Sequence, residues 1–335
     1  MKRPAVGVIG AGRVGSVVAA RLRAAGHEIV GVSARSDASR LRAATMLPDV
    51  PVLDPADVAR RSEVLVLAVP DDALVALSEQ LAGADAVRPG TVVAHTSGRH
   101  GLGALEALTR RGARPLALHP AMTFTGGTAD LERTCVWGLT AADTDRDLAA
   151  DLVQTLGGTV LWVDEADRVR YHAALAHGAN HLTTLVAQSL ELLRGIGHPA
   201  EGTTDAGMAA EVLRPLLEAA LANALELGDA ALTGPVARGD VTTVRAHVEA
   251  LAEAPASTQD AYEALAQATA GRAEADGRLS AEAADAVREA TGGGAGLRAA
   301  DGSAGGAGLR AADGSAGGAG LRAADSHARA QDVSG

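Results

Sequence analysis

A glycine-rich turn between an apolar strand and a helix is the feature that most constrains the fold of this chain. The apolar run Ala5–Ile9 leads into Gly10, Ala11, Gly12, Arg13, Val14 and Gly15, and an Ala- and Val-rich helical pattern follows. In such a GxGxxG turn the first glycine permits a tight turn, the second lets a pyrophosphate approach, and the third lets helix and strand pack closely. Free N–H groups at the helix start attract anions. These six residues therefore predict a dinucleotide site; a glycine turn without a ligand is the alternative.

Six further apolar runs follow the turn at regular intervals. They are Glu28–Ser33, Val64–Val69, Thr91–His95, Pro115–Leu118, Cys135–Thr140 and Thr159–Val163. Nearly continuous apolarity is typical of strands that are buried on both faces of a sheet. Helical patterns lie between the runs, at Gly15–Ala25, Asp54–Arg60, Asp72–Leu81 and Leu102–Arg111. This alternation predicts an α/β fold with a doubly wound, parallel, Rossmann-like sheet over residues 1–164.

The remainder of the chain has no strand pattern. Ala- and Leu-rich helical patterns cover Arg168–Arg194, Thr204–Glu226, Asp240–Glu253 and Ser257–Arg272, which predicts an all-helical substrate and dimerisation domain over residues 165–290. A Gly-, Ala- and Ser-rich 12-residue block then begins at Gly293 and recurs from Gly305 and, in variant form, from Gly317. We expect residues 291–335 to be a disordered tail. A partner-binding arm is the alternative.

The second strand ends in residues that indicate which dinucleotide the turn binds. Enzymes that use NAD usually carry an acidic residue there, which accepts hydrogen bonds from the ribose. This chain has Ser33, Arg35 and Ser36 instead. An arginine between two hydroxyls suits a 2′-phosphate, so we expect NADP(H) as the cofactor. Arg35 as a solvated loop residue is the alternative. Val69 and Pro70, after the third strand, are expected to pass near the cofactor's ribose and nicotinamide.

Composition and charge exclude several classes of partner. The net charge of −11 and the pI of about 5.4 argue against binding to nucleic acid or to an anionic membrane. No stretch of about 20 residues is apolar throughout, and the N-terminal residues do not match a secretory signal. Cys135 is the single cysteine, which excludes an internal disulfide and fits a reducing compartment. We therefore expect a cytoplasmic protein that binds a small molecule.

Three residues outside the glycine turn are candidates for substrate contact in the loops. Ser97 and His119 follow two of the predicted strands, at the sheet edge where ligands bind in this fold. A helix N-cap role is equally compatible with Ser97. Arg238 lies in the rigid Gly-Pro turn before Asp240 and could grip a carboxylate through two hydrogen bonds. A structural pair with Asp240 is the alternative for Arg238.

The segment from Tyr171 to Leu190 has no Asp, Glu, Lys or Arg, which predicts a helix that is buried on most sides. Its polar side chains include His177, Asn180, Thr184 and Gln188, which fall within about 80° of one another on a regular helix. His172 lies at the edge of this polar stripe. A row of neutral donors and acceptors predicts a substrate or nicotinamide wall. An interhelical hydrogen-bond network or a solvent-facing side is the alternative.

Several of these segments together resemble a known bacterial group. The glycine turn, His119-Pro120, the run from Tyr171-His172 to Asn180, and the segment Leu232–Asp240 are similar to proteins that join a Rossmann-like domain to a helical domain of unknown function 2520. The resemblance covers about residues 2–272. It extends in layout to the 6-phosphogluconate dehydrogenase-like superfamily and to ketopantoate reductases. It implies NADPH-dependent reduction of a small 2-oxo acid, with ketopantoate to pantoate, a step of pantothenate synthesis, as the most specific case.

The resemblance also exposes a departure. The classical dehydrogenases of this layout place a lysine four residues before the asparagine of the long helix, but residue 176 is Ala and Lys2 is the only lysine in the chain. A reductase still needs a proton donor for the developing alkoxide. Histidine can supply it because its pKa lies near neutral pH. His172 is favoured as this donor over His177, and Asn180 is expected to orient the carbonyl. No metal is expected at the site.

The expected protein is therefore an NADPH-dependent oxidoreductase that forms a homodimer through its helical domain. Two other functions stay open at this stage. One is hydride exchange between NADP and a second cofactor such as a deazaflavin, which requires a second large, flat pocket. The other is a non-catalytic NADP-binding sensor or interaction protein, for which the missing lysine is the strongest argument.

Overall fold

The computed structural model describes residues 3–196 and 204–292, so all but the first two residues of the predicted tail lie outside the described residues. The chain divides into two compact units, Met1–Ile196 and Gly197–Gly335. The sequence places a boundary at residues 164/165 instead. The first unit extends further because the helix that follows the last strand is docked on the sheet through its first turns.

A seven-stranded sheet forms the centre of the first unit, in the order β2-β1-β3-β4-β5-β6-β7. The strands are β1 (Val6–Ile9), β2 (Ile29–Ser33), β3 (Val64–Leu67), β4 (Val92–His95), β5 (Arg114–Pro120), β6 (Val136–Ala141) and β7 (Thr159–Trp162). All seven predicted strands are present, and the chain order reverses beside β1. Such a reversal is where ligands bind in open α/β sheets.

The sheet is parallel except at one pair of neighbours. β5 and β6 are antiparallel, with Ala117 opposite Thr140 and His119 opposite Gly138. A parallel pair needs a crossover that returns the chain to the starting edge. The segment between β5 and β6 contains only a short 3-10 helix, Thr128–Leu131, and runs back without crossing the sheet. The expectation of an all-parallel sheet is therefore wrong at this pair, and the Rossmann-like fold class is confirmed.

Burial on both sheet faces explains the continuous apolarity of the strands. In β3, Val64 and Val66 join the core beneath α1 and α6, whereas Leu65 and Leu67 join the core beneath α3, α4 and α5. The helices concerned are α1 (Arg13–Ala24), α2 (Asp37–Met46), α3 (Pro55–Arg61), α4 (Asp71–Gly83), α5 (Glu106–Thr109) and α6 (Arg146–Thr155). Alternate side chains of one strand thus pack into different cores.

Some elements of the first unit differ from the sequence pattern. The helices α2 and α6 were not predicted. Helix α2 begins at the Ser36 cap and has no broad apolar stripe. Helix α6 has no side-chain cap, but it buries an apolar face formed by Ala149, Leu152 and Val153. The predicted helix Leu102–Arg111 consists of a 3-10 turn, Leu102–Leu105, followed by the short α5.

The long helix after β7 carries a π-helical turn in its middle. It consists of α7 (Arg168–Leu175), the π-turn Ala176–Asn180 and α8 (His181–Leu193), after a 3-10 turn at Glu165–Asp167. Most of its side chains from Ala173 onward are exposed in the described chain, including Leu182 and Leu185. The prediction that this charge-free segment is buried on most sides is wrong for the chain by itself, because only its first turns pack on the sheet.

The second unit is helical throughout its described residues, as predicted. It contains α9 (Asp205–Leu227), α10 (Gly234–Ala237), α11 (Val241–Ala250), α12 (Ala256–Ala275) and α13 (Ala281–Ala290), with 3-10 turns at Gly228–Ala231 and Leu251–Glu253. Its core is built mainly from Ala and Val of α10 to α13. Asp240 caps α11 by accepting a hydrogen bond from Thr243 N at 3.1 Å. In the described part of the chain, no helix has the length and apolarity to cross a membrane.

Candidate active site

A cavity of about 450 Å³ lies beside the glycine turn, at the carboxyl ends of the central strands. Of the predicted cofactor residues, eight line it: Gly10, Ala11, Gly12, Ser33, Arg35, Ser36, Val69 and Pro70. Sequence reasoning missed a further set on α2, α3 and α4, which includes Ser39, Pro55, Leu77 and Gln80. These residues have no motif of their own, and only the packing of three helices against the strand ends brings them to the cavity.

The backbone of the glycine turn is held in one conformation by its neighbours. Gly10 has a φ of +100°, and a Cβ there would collide with the carbonyl oxygen of Ala68. Gly10 N and Ala11 N donate to Ser33 O, and Gly10 N also lies 3.2 Å from Ser33 Oγ. Ser33 is buried, and its hydroxyl accepts a hydrogen bond from the turn. Its role is therefore to brace the turn.

Gly12 is the point at which a ligand can approach. A Cβ built on Gly12 meets nothing within 4 Å, whereas Gly15 is packed so closely against Gly10 and Ala68 that no side chain fits. Arg13, Val14 and Gly15 do not line the cavity, since they form the start of α1. Open space at Gly12 and free N–H groups of α1 are what a pyrophosphate requires. The turn therefore fits a dinucleotide.

The polar end of this cavity is formed by Arg35, Ser36 and Ser39. Ser36 is the N-cap of α2: its Oγ accepts from Ser39 N at 3.2 Å, and Ser39 Oγ donates to Ser36 O at 2.7 Å. Arg35 is exposed beside them. A cationic guanidinium beside hydroxyls and a helix N-terminus suits the 2′-phosphate of NADP(H).

A second cavity, of about 150 Å³, lies at the carboxyl end of β5, and we call it the histidine cavity. Its lining residues come from the end of β5, the loop after it and the long helix: His119, Ala121, Met122, Thr123, His172, Leu175, Ala176, Ala179 and Asn180. The structure thus brings together three predicted site residues, His119, His172 and Asn180. Residue 176, the position at which the resemblance to the classical dehydrogenases would imply lysine, is an alanine on the cavity wall.

The π-turn is the reason that His172 and Asn180 share a cavity. On a regular helix these residues are about 80° apart. A π-turn accommodates one extra residue, so the helix after it is rotated by about 100° relative to the helix before it. His172 and Asn180 then lie within about 20° of each other, and both line the histidine cavity. No sequence signal marked this turn, which is why the stripe calculated for a regular helix was wrong.

His177 and Thr184 lie outside the histidine cavity. His177 is exposed, and its Nδ1 is 3.0 Å from the Nδ1 of His181, one turn further along the helix. Thr184 is also exposed and does not line the cavity. Arg238 belongs to the second unit, where it is exposed in the turn after α10. Its proposed grip on a substrate stays a prediction.

His119 is held between Tyr171 and His172. Tyr171 Oη lies 3.0 Å from His119 Nδ1, and the rings of His119 and His172 are edge to face with centroids 5.9 Å apart. Two glycines permit this packing. A Cβ on Gly98 would lie 2.5 Å from His172 Cδ2, and one on Gly138 would lie 2.5 Å from Tyr171 Oη. Sequence reasoning did not assign a role to Tyr171 or to either glycine.

The pKa of His119 is lowered from 6.5 to about 4, mainly by burial and in addition by the nearby His172 and Arg168. His119 is therefore neutral at physiological pH. Burial also raises the pKa of the Tyr171 hydroxyl, which stays protonated. The pair is thus an uncharged hydrogen-bonding unit beside the cavity.

Arg168 anchors the beginning of the long helix beneath this pair. It is almost fully buried, and it donates to Thr140 Oγ1 at 2.8 Å, to Ala117 O at 2.9 Å and to Gly138 O at 3.2 Å. Burial lowers its pKa to about 10, so it remains a cation. Its contacts join the antiparallel strands β5 and β6 to α7. They fix the position of Tyr171, one turn further along the helix.

Ser97 contributes to a braced loop instead of the cavity wall. Its side chain is buried, and its Oγ accepts from His100 N at 3.1 Å. His95, at the end of β4, accepts from Ser97 N through Nδ1 at 3.2 Å and donates through Nε2 to Gly101 O at 3.0 Å. Burial lowers the pKa of His95 to about 4. Ser97 thus caps a turn and not a helix, because the N-cap of the 3-10 turn Leu102–Leu105 is Gly101. Its contact with substrate stays a prediction.

The sheet order, the glycine turn and the cavity at the strand ends define a Rossmann-type α/β protein. Comparison with family models agrees: residues 1–120 match a Rossmann-like domain, and residues 135–269 match a domain of unknown function, DUF2520. The chain thus joins a Rossmann-like domain to a DUF2520 domain, as the sequence resemblance indicated. No curated protein matches the chain. Among the described residues, no group of three or more His, Cys, Asp or Glu could hold a metal ion.

Solved structures share the fold at low sequence identity. BF3122 from Bacteroides fragilis, assigned as an NADP oxidoreductase, is 22% identical with a TM-score of 0.66, covering 80% of this chain and 98% of its own. The reductive aminase from Aspergillus terreus, in complex with NADPH and ethyl levulinate, is 19% identical (TM-score 0.58; 85% and 99% covered). An imine reductase from a Pseudomonas species is 17% identical (TM-score 0.57; 82% and 99%). The fold is therefore one that NAD(P)-dependent oxidoreductases use.

Proposed function

We propose that this chain is an NADPH-dependent reductase that acts on a carbonyl or imine group of a small molecule held in the histidine cavity. The observation that carries the proposal is the meeting of His172 and Asn180 at this cavity, on either side of Ala176. A proton donor and an amide are the groups that a reductase needs where the related dehydrogenases use lysine and asparagine. The cavity at the glycine turn would hold the cofactor.

Different residues of the chain would bind the cofactor, donate the proton and orient the substrate. Gly12 and the start of α1 bind the pyrophosphate, while Arg35 and Ser36 bind the 2′-phosphate. Reduced nicotinamide supplies the hydride when the cofactor is bound. His172 donates the proton that the product oxygen or nitrogen needs, and Asn180 orients the group to be reduced. The small volume of the histidine cavity restricts the substrate to a small molecule.

A 2-oxo acid, with ketopantoate as the first compound to test, is the substrate class that the family resemblance supports. Its carboxylate would be gripped by Arg238. The lining of the histidine cavity favours a second candidate, an uncharged imine or ketone, because it includes neither Arg nor Lys. The fold is also shared with an imine reductase and a reductive aminase.

The test mixes the purified full-length chain with NADPH and each substrate class, and it follows the loss of cofactor absorbance. Turnover of ketopantoate or another 2-oxo acid, with a KM that Arg238→Ala raises at least about tenfold, supports the first candidate. Turnover of imines that Arg238→Ala leaves unchanged supports the second. Gly12→Val, which fills the open space at the turn, is the cofactor-binding control. If NADPH binds and neither class is reduced, the proposed activity is wrong.

We also propose a homodimer formed through the helical region, in the cytoplasm. Large apolar side chains are exposed on both units: Leu182, Leu185 and Leu192 on α8, and Val212, Leu216 and Leu225 on α9. Exposed apolar helix faces of this kind are typical of subunit interfaces. Light scattering on the purified chain should give twice the mass of one chain. The double variant Leu216→Asp, Leu225→Asp should shift the measured mass toward that of a single chain. The free Cys135 fits the cytoplasm.

A further inference from the structure

The contact between Tyr171 and His119 bears on how the histidine cavity would polarise its substrate. Only one ring nitrogen of a neutral histidine carries a proton, and the hydrogen bond made by the other nitrogen decides which one. Tyr171 Oη lies 3.0 Å from His119 Nδ1. An imidazole nitrogen is a much stronger hydrogen-bond acceptor than a phenol oxygen, and the phenol is the stronger donor. Tyr171 therefore donates, and Nδ1 accepts.

With Nδ1 as the acceptor, the proton of His119 is on Nε2. This nitrogen lies across the ring from Nδ1, so it faces away from Tyr171 Oη. A Cβ on Gly98 would lie 3.0 Å from His119 Nε2 and 2.5 Å from His172 Cδ2, so Nε2 and the His172 ring flank the same glycine. His119 and His172 line the same cavity. The N–H of His119 is thus presented beside the predicted proton donor.

We propose that Tyr171 is a positioning residue that holds His119 as the neutral, Nε2-protonated tautomer, so that His119 donates a hydrogen bond to the carbonyl oxygen or imine nitrogen of the substrate. The role toward substrate rests on the proposed function, whereas the tautomer itself does not. It gives His119, so far only a candidate for substrate contact, a defined task, because a neutral N–H donor suits an uncharged acceptor better than an anion.

The surroundings of His119 keep the ring neutral over the working pH range. Burial of the His119 ring is the main cause of its lowered pKa of about 4. His172, the buried cation Arg168 and His95 lower the pKa further, and only Asp71 raises it. A cation on His119 would release the hydrogen bond from Tyr171, because its Nδ1 would then carry a proton as well.

The geometry depends on the docking of α7. Arg168 donates hydrogen bonds to the carbonyl oxygen of Ala117 on β5, the strand of His119, and to that of Gly138 on the adjacent strand β6. Tyr171 follows one turn later and occupies the space that Gly138 leaves free. A strand and a helix, and no loop residue, thus place the Tyr171 hydroxyl at His119 Nδ1.

Long-range proton–nitrogen NMR on protein with ¹⁵N-labelled histidine tests the tautomer directly. The His119 signals are assigned by their absence in His119→Gln. We expect a protonated Nε2 and an unprotonated Nδ1 from pH 6 to pH 8, and a mixture of tautomers in Tyr171→Phe. A His119 that is cationic, or protonated on Nδ1, in the unmodified chain would overturn the proposal. This readout requires no substrate, so it is independent of whether the proposed reduction occurs.

The chain contains a matched control. Its only other tyrosine, Tyr262, makes the same kind of bond, with its Oη 2.9 Å from Nδ1 of His247 in the second unit. Tyr262→Phe should leave the His119 signals unchanged. Once a substrate is identified, Tyr171→Phe should lower kcat about tenfold with a smaller change in KM, and His119→Gln, which keeps an N–H donor, should retain more activity than His119→Ala. Equal loss in both His119 variants, together with an unaltered tautomer in Tyr171→Phe, would show a purely structural role.

Discussion

The cavity at the glycine turn and the histidine cavity lie at the same edge of the same sheet, yet they are built in different ways. The cavity at the glycine turn takes its key groups from two short, contiguous stretches, Ile9–Gly12 and Ser33–Ser36. The histidine cavity combines β5, the loop after it and two turns of a helix more than 50 residues later. The phosphate-binding groups of the first cavity are backbone groups of one motif, whereas the candidate reactive groups of the second are side chains placed by packing.

This difference has consequences for chemistry. A phosphate site made of backbone N–H groups and a helix start needs few specific side chains, so one short motif is enough to form it. A proton-transfer site needs side chains within hydrogen-bond reach of one atom, and their placement depends on every element that supports them. We therefore expect substitutions in the two cavities to separate cofactor affinity from turnover.

The largest effect is expected at His172. Replacing it with Ala removes the proposed proton donor and should lower kcat by about 100-fold or more, while the Kd for NADPH changes little. His177→Ala should lower kcat far less, because His177 pairs with His181 outside the cavity. Steady-state kinetics and cofactor fluorescence titration provide the two measurements. A larger loss in His177→Ala than in His172→Ala would reverse the assignment of the donor.

A smaller and more selective effect is expected at Arg35. Arg35→Ala removes hydrogen bonds to the 2′-phosphate and should raise the Kd for NADPH about tenfold, since each hydrogen bond to a charged group contributes about 1.5–3 kcal/mol. The Kd for NADH should stay within about twofold. Arg40→Ala is the matched control, because Arg40 is also exposed and pairs with Asp37 at 3.0 Å on α2. An equal loss of both cofactors in Arg35→Ala would contradict a 2′-phosphate site.

The smallest effect is expected in the pH dependence of stability, and it should belong to the histidine side of the sheet. His95 and His119 have a pKa of about 4 in the folded chain, below the ordinary value of 6.5. The unfolded chain therefore takes up protons first as the pH falls below about 6.5, and Tm should decrease progressively toward pH 4. His119→Gln should make this decrease shallower by a few degrees between pH 6.5 and 5.

Melting curves at a series of pH values measure this effect. The control is the unmodified chain, melted in the same series of buffers. A Tm that does not depend on pH between 6.5 and 5, or an identical slope in His119→Gln, would show that His119 is not held neutral by its surroundings.

Much of the fold could be predicted because strand burial leaves a strong trace in the sequence. All seven strands were identified from runs of Val, Leu and Ile, which must be apolar on both faces. Helix α2 was missed because it depends on its Ser36 cap and has no broad apolar stripe. Helix α6 was missed although its sequence carries an apolar face, with Ala149, Leu152 and Val153 buried. The reversal of β6 could not be predicted, since it depends on the path of the chain after His119.

By itself, the sequence determined the glycine turn, the hydroxyl and arginine groups after β2, and the candidacy of His172, His119 and Asn180. The reason is that these features depend on the identity and spacing of residues that are close together in the chain. Only the tertiary structure decided which of the candidates meet. The π-turn rotated Asn180 toward His172 and left His177 outside, and the missing side chains of Gly98 and Gly138 admitted His172 and Tyr171. The glycine turn thus specifies where a dinucleotide fits, while packing specifies what could react beside it.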